Sequence, residues 1–229
     1  PESNLNRLFN AWGFEVEPGM VVGDIVNGRK VSLGSQNNEK IITYILWLAL
    51  QNDLLSEDDI ITSNLDYVFF KSAGSIKMLS EKETDTIEFI PLVTTSTNSM
   101  LVERFKMQFR ADPEGLLKQF KSENKKFVLS ARIKGSFESA FKEKELTKLQ
   151  VDKENHVNKS LNSNIVIFSD TDLLSDITWL TKQDILGRSN IIQTADNGRL
   201  VMNTIESMSG GENLIGLRGR GTTNRPFLV

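Results

Sequence analysis

Leu5, Leu8, Phe9 and Trp12 recur at helical spacing and predict a short amphipathic helix, which Ser3 can cap and Gly13 ends. Phe14-Glu15-Val16-Glu17 alternates like a strand entering the Pro18-Gly19 turn, and Met20-Val21-Val22 predicts a second strand ending at Gly23-Asp24. Residues 25–40 are polar and glycine-bearing, with a short strand over Lys30–Leu33. Ile41–Leu50 is apolar and leaves two readings open. Its length and Ala49-Leu50 suit a buried helix, while Ile41, Ile42, Thr43, Tyr44 and Ile45 suit a strand.

Asp66–Lys71 and Ser75–Leu79 read as strands, and Glu81–Asp85 as a polar connector. Ile87–Val93 predicts a strand that Pro91 confines to an edge. Met100–Phe105 resumes apolar character, and Asp112-Pro113 opens a helix carrying Leu116, Leu117 and Phe120. Phe127–Ile133 predicts a strand ended by Gly135. Residues 142–160 are almost wholly polar and read as a surface excursion or a charged helix. Ile165–Phe168 is a short apolar run of the kind a buried strand carries. Leu200, Val201, Thr204, Ile205 and Met208 predict a helix that Asp196 or Asn197 caps and Gly210-Gly211 ends. Leu214–Leu217 reads as a final strand in a basic, glycine-rich tail over 209–229. Strands alternating with helices predict an α/β fold, taken as one region over 1–229, with no internal repeat.

Charge and composition narrow the function. The chain has 229 residues, 39% hydrophobic and 25% charged, enough for a substantial core. Its formal net charge of −3 gives no electrostatic footprint for nucleic acid. The charge is uneven, with acids in excess over 51–100 and bases in excess over 101–160. Two solvated faces of opposite sign, or a basic docking face, would both fit that pattern. The absence of cysteine removes disulfides, thiolate metal sites and cysteine nucleophiles. His156 is the only histidine, too few for a histidine zinc site. The run Ile41–Leu50 is about half the length of a membrane span. The chain reads as an excised fragment, so the lack of a membrane anchor in it says nothing about the intact protein.

Two loops are the chemical candidates. Ser169-Asp170-Thr171-Asp172 follows a strand, where α/β sheets gather ligands. Asp170 and Asp172 could bind a hard cation, or could cap the next helix and fasten the loop through backbone N–H groups. Thr94, Thr95 and Ser96 open a hydroxyl-rich loop reaching Ser99, suited to an anion or sugar and equally to an ordinary turn. Arg218 and Arg220 lie among Gly216, Gly219 and Gly221 without the spacing of a phosphate-binding loop. No catalytic, cofactor or metal residue is assigned.

Several stretches taken in order resemble one family. Leu8 to Asp24, with Trp12-Gly13 and Val21-Val22-Gly23-Asp24, is similar to the entry segment of the auxiliary component of gliding-motility-type ABC transporters. Ile90–Ser96 resembles that family's central threonine-threonine-serine segment, and Phe127–Gly135 its apolar strand. Val166–Leu174 resembles its late strand and aspartate-x-aspartate loop, with Ser169 where the family usually has glycine. Asn203–Arg220 resembles its closing asparagine-bearing helix and the segment after it, with Glu206-Ser207-Met208 in place of a more apolar helix end.

The resemblance implies a flavodoxin-like or glutamine-amidotransferase-like sheet flanked by helices, without catalytic residues and incomplete at its N-terminus. It implies a membrane-tethered protein whose soluble part lies in the periplasm or otherwise outside the cytoplasmic membrane. The implied partners are an ABC permease and its ATPase, with an envelope ligand as a further one. The expected function is a non-catalytic binding module, with Ser169, Asp170, Asp172, Thr94, Thr95 and Ser96 as the contact candidates. The rival is a hydrolase acting on envelope glycans or esters, metal-dependent or with a hydroxyl nucleophile. A solute receptor would need two lobes and a cleft.

Overall fold

The computed structural model describes residues 5–34, 39–79, 87–108, 112–146, 156–185 and 188–210, with 148 and 154 besides. The elements run α1 (Asn6–Trp12), β1 (Phe14–Val16), β2 (Met20–Asp24), β3 (Gly28–Leu33), β4 (Lys40–Gln51), β5 (Tyr67–Lys71) and β6 (Ile76–Met78). Next come β7 (Ile87–Thr94), β8 (Ser99–Glu103), α2 (Phe105–Gln108), α3 (Pro113–Lys118), β9 (Val128–Glu138) and α4 (Glu143–Leu146). The last are β10 (Lys159–Phe168), α5 (Asp176–Trp179), β11 (Leu180–Ile185), β12 (Arg188–Gln193) and α6 (Asn197–Met208).

Every ladder among these strands is antiparallel. The largest sheet has five strands in the order β1-β6-β9-β10, with β7 also on β9. Beside it stand the three-stranded β3-β4-β5 and the pairs β2-β8 and β11-β12. The mixed α/β class holds, but the flavodoxin-like or glutamine-amidotransferase-like sheet does not. Such sheets are parallel and need a crossover, usually a helix, between neighbouring strands. Here the helices before α6 are 4 to 7 residues long and cannot serve as that flanking layer.

Three apolar clusters hold the strands together. Leu48, Leu50, Val68 and Phe70 of β4 and β5 meet Leu92, Val93 and Leu129 of the large sheet, with Leu200 of α6. The opposite face of the large sheet presents Phe14, Ile76, Ile133 and Phe137 to Phe9 and Trp12 of α1. Val21, Tyr44, Ile45, Leu46 and Val102 pack under Leu116 of α3. Asp112 caps α3 by accepting from the Gly115 N–H at 2.9 Å, and Pro113 starts it, as the sequence predicts. Gly13 ends α1 in the left-handed conformation at φ 87°.

The ambiguous run Ile41–Leu50 is strand, inside the 12-residue β4. Its register against β3 jumps between Gly28↔Leu48 and Arg29↔Tyr44. This irregularity turns side chains on both sides of it into apolar clusters, which masks the alternation of a half-buried strand. Gly135 does not end β9, because it is paired on both sides, with Ser163 and Ile87. Pro91 lies in β7, which pairs with β9 alone among the named strands. Of the polar excursion, Glu143–Leu146 is helical and Lys159 opens β10; most of 147–155 lies outside the described residues, as do Ser3, Glu81–Asp85 and the tail from 211.

α6 keeps Leu200 and Val201 of its apolar stripe on the core but turns Ile205 and Met208 outward. Its buried residues are Asn197, Leu200, Asn203 and Ser207, one helical stripe that is mostly polar. Met202, Ile205 and Met208 are exposed by 48, 55 and 46%. The polar stripe is seated by specific bonds. Asn203 Nδ2 donates to Ile61 O at 3.0 Å, and Ser207 Oγ accepts from Arg132 Nη2 at 3.0 Å. Arg132, on β9, also grips Asp59 with two bonds, at 2.6 Å from Nε and 2.8 Å from Nη2. Both side chains are buried, and Asp59 accepts in addition from the Ile61 N–H. The guanidinium thus ties the large sheet, the 59–61 turn and α6 together at one point.

Removing one partner of such a pair leaves the other charge buried. Arg132→Ala should lower unfolding stability by about 3–5 kcal/mol in urea titrations. The double variant Arg132→Met/Asp59→Leu should recover most of that loss. A loss below about 1 kcal/mol for Arg132→Ala would show that the pair does not hold the elements together.

Candidate functional site

β5 is the outer strand of its three-stranded sheet, and its outward N–H groups belong to Tyr67, Phe69 and Lys71. All three are met by side chains. Tyr67 N–H donates to Asp196 Oδ2 at 3.3 Å and Phe69 N–H to Asn197 Oδ1 at 2.9 Å. Lys71 N–H donates to Asp170 Oδ2 at 2.6 Å. The outward carbonyls are served too: Tyr67 O accepts from the Asp196 N–H at 2.7 Å, and Phe69 O from Asn197 Nδ2 at 2.8 Å. Asn197 also donates to Leu173 O at 2.9 Å. Asp196, expected as a helix cap, makes no side-chain capping bond to α6 and serves β5 instead.

Asp170 therefore has a definite structural task. Its second oxygen accepts from the Asp172 N–H at 2.8 Å, which closes the turn after β10. Asp170 fastens the loop through backbone N–H groups, while the cap position of α5 is Ser175 and not either aspartate. The Asp172 side chain is exposed, and its carbonyl accepts from Thr178 Oγ1 at 3.0 Å. Ser169 Oγ lies 2.8 Å from both Gly74 O and Leu129 O, so the hydroxyl joins β10 to the segment after β5 in a way glycine could not. Burial pushes the Asp170 carboxyl up to about 6, against the opposing effect of the Lys71 and Asp172 N–H groups.

The hydroxyl-rich loop is held by a carboxylate that is not among the sequence-derived candidates. Asp24, at the end of β2, is fully buried. It accepts from the Val26 and Asn27 N–H groups at 2.9 and 3.1 Å and from Asn27 Nδ2 at 2.8 Å. It also accepts from the Ser96 N–H at 2.7 Å and from Ser96 Oγ at 3.0 Å. Five donors satisfy the buried charge without a cation. Thr95 Oγ1 accepts from the Phe127 N–H at 2.9 Å and lies 3.0 Å from Ser99 Oγ. Thr94 ends β7, opposite Val128. Val21-Val22-Gly23-Asp24 and Thr94-Thr95-Ser96 both stand out in the sequence, but nothing local links them.

The structure thus brings Ser96 to Asp24 and Asp170 to Lys71, and each loop is fastened by its own carboxylate. Among the described residues no group of three or more His, Asp or Glu is placed to hold a metal ion. No described helix is long and apolar enough to cross a membrane.

The raised Asp170 carboxyl gives a pH signature. The folded chain holds a proton that the unfolded chain releases near pH 4, so stability falls as pH rises from about 4 through about 6. The contribution is on the order of 2–3 kcal/mol. Urea titrations from pH 4 to 7 should show the wild type losing that much relative to Asp170→Asn, which lacks the titrating group. A constant difference between the two proteins across this range would contradict the assignment.

No curated protein matches the chain, and no solved structure does. A family model described as an ABC-type uncharacterized transport system matches residues 1–204. That span holds both candidate loops, the Arg132–Asp59 pair and most of α6, and the chain belongs to this family of auxiliary components of ABC-type transport systems.

Proposed function

We propose that this chain is a non-catalytic recognition module of a gliding-motility-type ABC transport system. It works in the periplasm or elsewhere outside the cytoplasmic membrane, tethered by anchors beyond this region, and docks on the permease that its ATPase drives. The observation that carries the reading is α6. Its polar side chains face inward, and Met202, Ile205 and Met208 recur every third residue on the outward face. An apolar helix stripe turned to solvent is a surface for another protein.

The polar groups that could have served chemistry support the same reading. Asp24 is committed to five internal donors, and Asp170 to two N–H groups. The Ser169–Asp172 turn offers such a partner only its exposed Thr171 and Asp172.

The test is co-purification. The membrane-anchored protein is co-expressed with the permease and ATPase of its own transport system, solubilised in detergent and captured by a tag. The wild type should retain the permease, and Met202→Asp/Ile205→Asp should lose at least tenfold of it with an unchanged melting temperature. This chain has no cysteine, so Val26→Cys at an exposed position, with any cysteine outside the chain replaced by serine, should react with a membrane-impermeant maleimide on intact cells. Permease retention that ignores the α6 changes would sink the docking face, and protection of the introduced thiol until lysis would sink the location.

A further inference from the structure

Exposed sheet edges are templates for strand addition, and proteins block them with charge, proline, side-chain caps or short strands. This molecule blocks most of its edges. β5 is capped by Asp170, Asp196 and Asn197. β8 is capped by Glu123, whose carboxylate accepts from the Leu101 N–H at 2.8 Å while its own N–H donates to Ser99 O. β7 contains Glu88 and Pro91 and is further met by the Leu55 bridge and the Ser56 N–H. β3 carries Arg29 and Lys30, and β1 is three residues long. The β11-β12 hairpin carries Lys182, Asp184 and Arg188.

β10 is the exception. It ends the large sheet, and among the described residues nothing pairs with its outer side. Ser169 N–H donates to Leu129 O, and Ile167 O accepts from Ser130 Oγ, so the odd-numbered backbone groups face β9. Strand geometry then turns the N–H and C=O groups of Asn164, Val166 and Phe168 outward. The regular stretch Ser163–Phe168 holds no charge and no proline. Its one irregularity is the register shift between Ser160 and Ser163, where Asn162 has φ 53°.

We propose that β10 is a self-association edge: a second copy of this chain adds its own β10 antiparallel to it, through the outward groups of Asn164, Val166 and Phe168. A two-fold axis sets like against like, so a charged edge would reject its own copy and this uncharged one does not. The strand is apolar on both faces. Val166 and Phe168 belong to the cluster under α6, and Ile165 and Ile167 to the cluster under α1. Antiparallel pairing centred on Val166, with Asn164 opposite Phe168 of the second copy, continues both clusters across the joint. The proposal is independent of the transport reading, since it concerns only this chain.

The test is light scattering on the purified chain over a concentration series. The expected mass is twice 25.8 kDa, falling to one copy on dilution. Asn164→Pro, and separately Val166→Pro, each removing an outward N–H that the β9 ladder does not use, should weaken the dimer at least tenfold with the fold retained by circular dichroism. Ile191→Lys on the β11-β12 hairpin should leave it unchanged. A monomer at every concentration would overturn the proposal. So would a dimer that ignores both β10 variants, or one that only Ile191→Lys dissolves. If Asn164→Pro does not fold, Val166→Pro alone decides.

Discussion

The backbone of β5 lies at the edge of a small sheet, and the rest of the structure is arranged around satisfying it. Tyr67, Phe69 and Lys71 present N–H groups that no strand meets, and three side chains from two distant segments supply the acceptors. An unpaired buried backbone group costs about as much as a lost hydrogen bond. Meeting that need fixes where α6 begins, because Asp196 and Asn197 lie at its start. It fixes the turn after β10 as well, because Asp170 must reach Lys71 N–H. The two sheets are thereby joined through polar side chains as well as through the apolar cluster of Leu48, Leu50, Leu92 and Leu129.

This arrangement explains why α6 is polar on its inner side. A helix that must bond to a strand edge and to Arg132 cannot also present only apolar residues there. Asn197, Asn203 and Ser207 carry the docking, with Leu200 buried and Val201 half-buried as the apolar contacts of the helix. Met202, Ile205 and Met208 of α6 are turned outward, which gives the proposed partner face its position. A structural requirement in one part of the molecule therefore sets where a recognition surface can stand.

Local elements are legible in the sequence, and their pairing is much less so. Gly13, Asp112-Pro113 and the alternation at Phe14–Val16 each act over a few residues, and each reads correctly. Ile165–Phe168 is apolar at every position because both faces of the strand are covered, and a buried parallel strand carries the same pattern. Covered faces say nothing about paired edges, and β10 is an edge. The apolar spacing of α6 predicts a helix, whereas hydrogen bonds of asparagine decide which face turns inward. Asp24 and Ser96 are 72 residues apart, so no local pattern announces their contact. The fastening role of Asp170 is one of the readings its turn allows, but its partner, Lys71 N–H, is 99 residues away.

Amide hydrogen exchange along β5 tests most directly whether side chains hold this edge. Val68 and Phe70 face β4 in the antiparallel ladder, while Tyr67, Phe69 and Lys71 face outward. The account predicts that Phe69 and Lys71 exchange within about tenfold of Val68 and Phe70, because all open only when the same unit opens. Outward amides exchanging at the rate of an unstructured peptide, beside slow Val68 and Phe70, would contradict it.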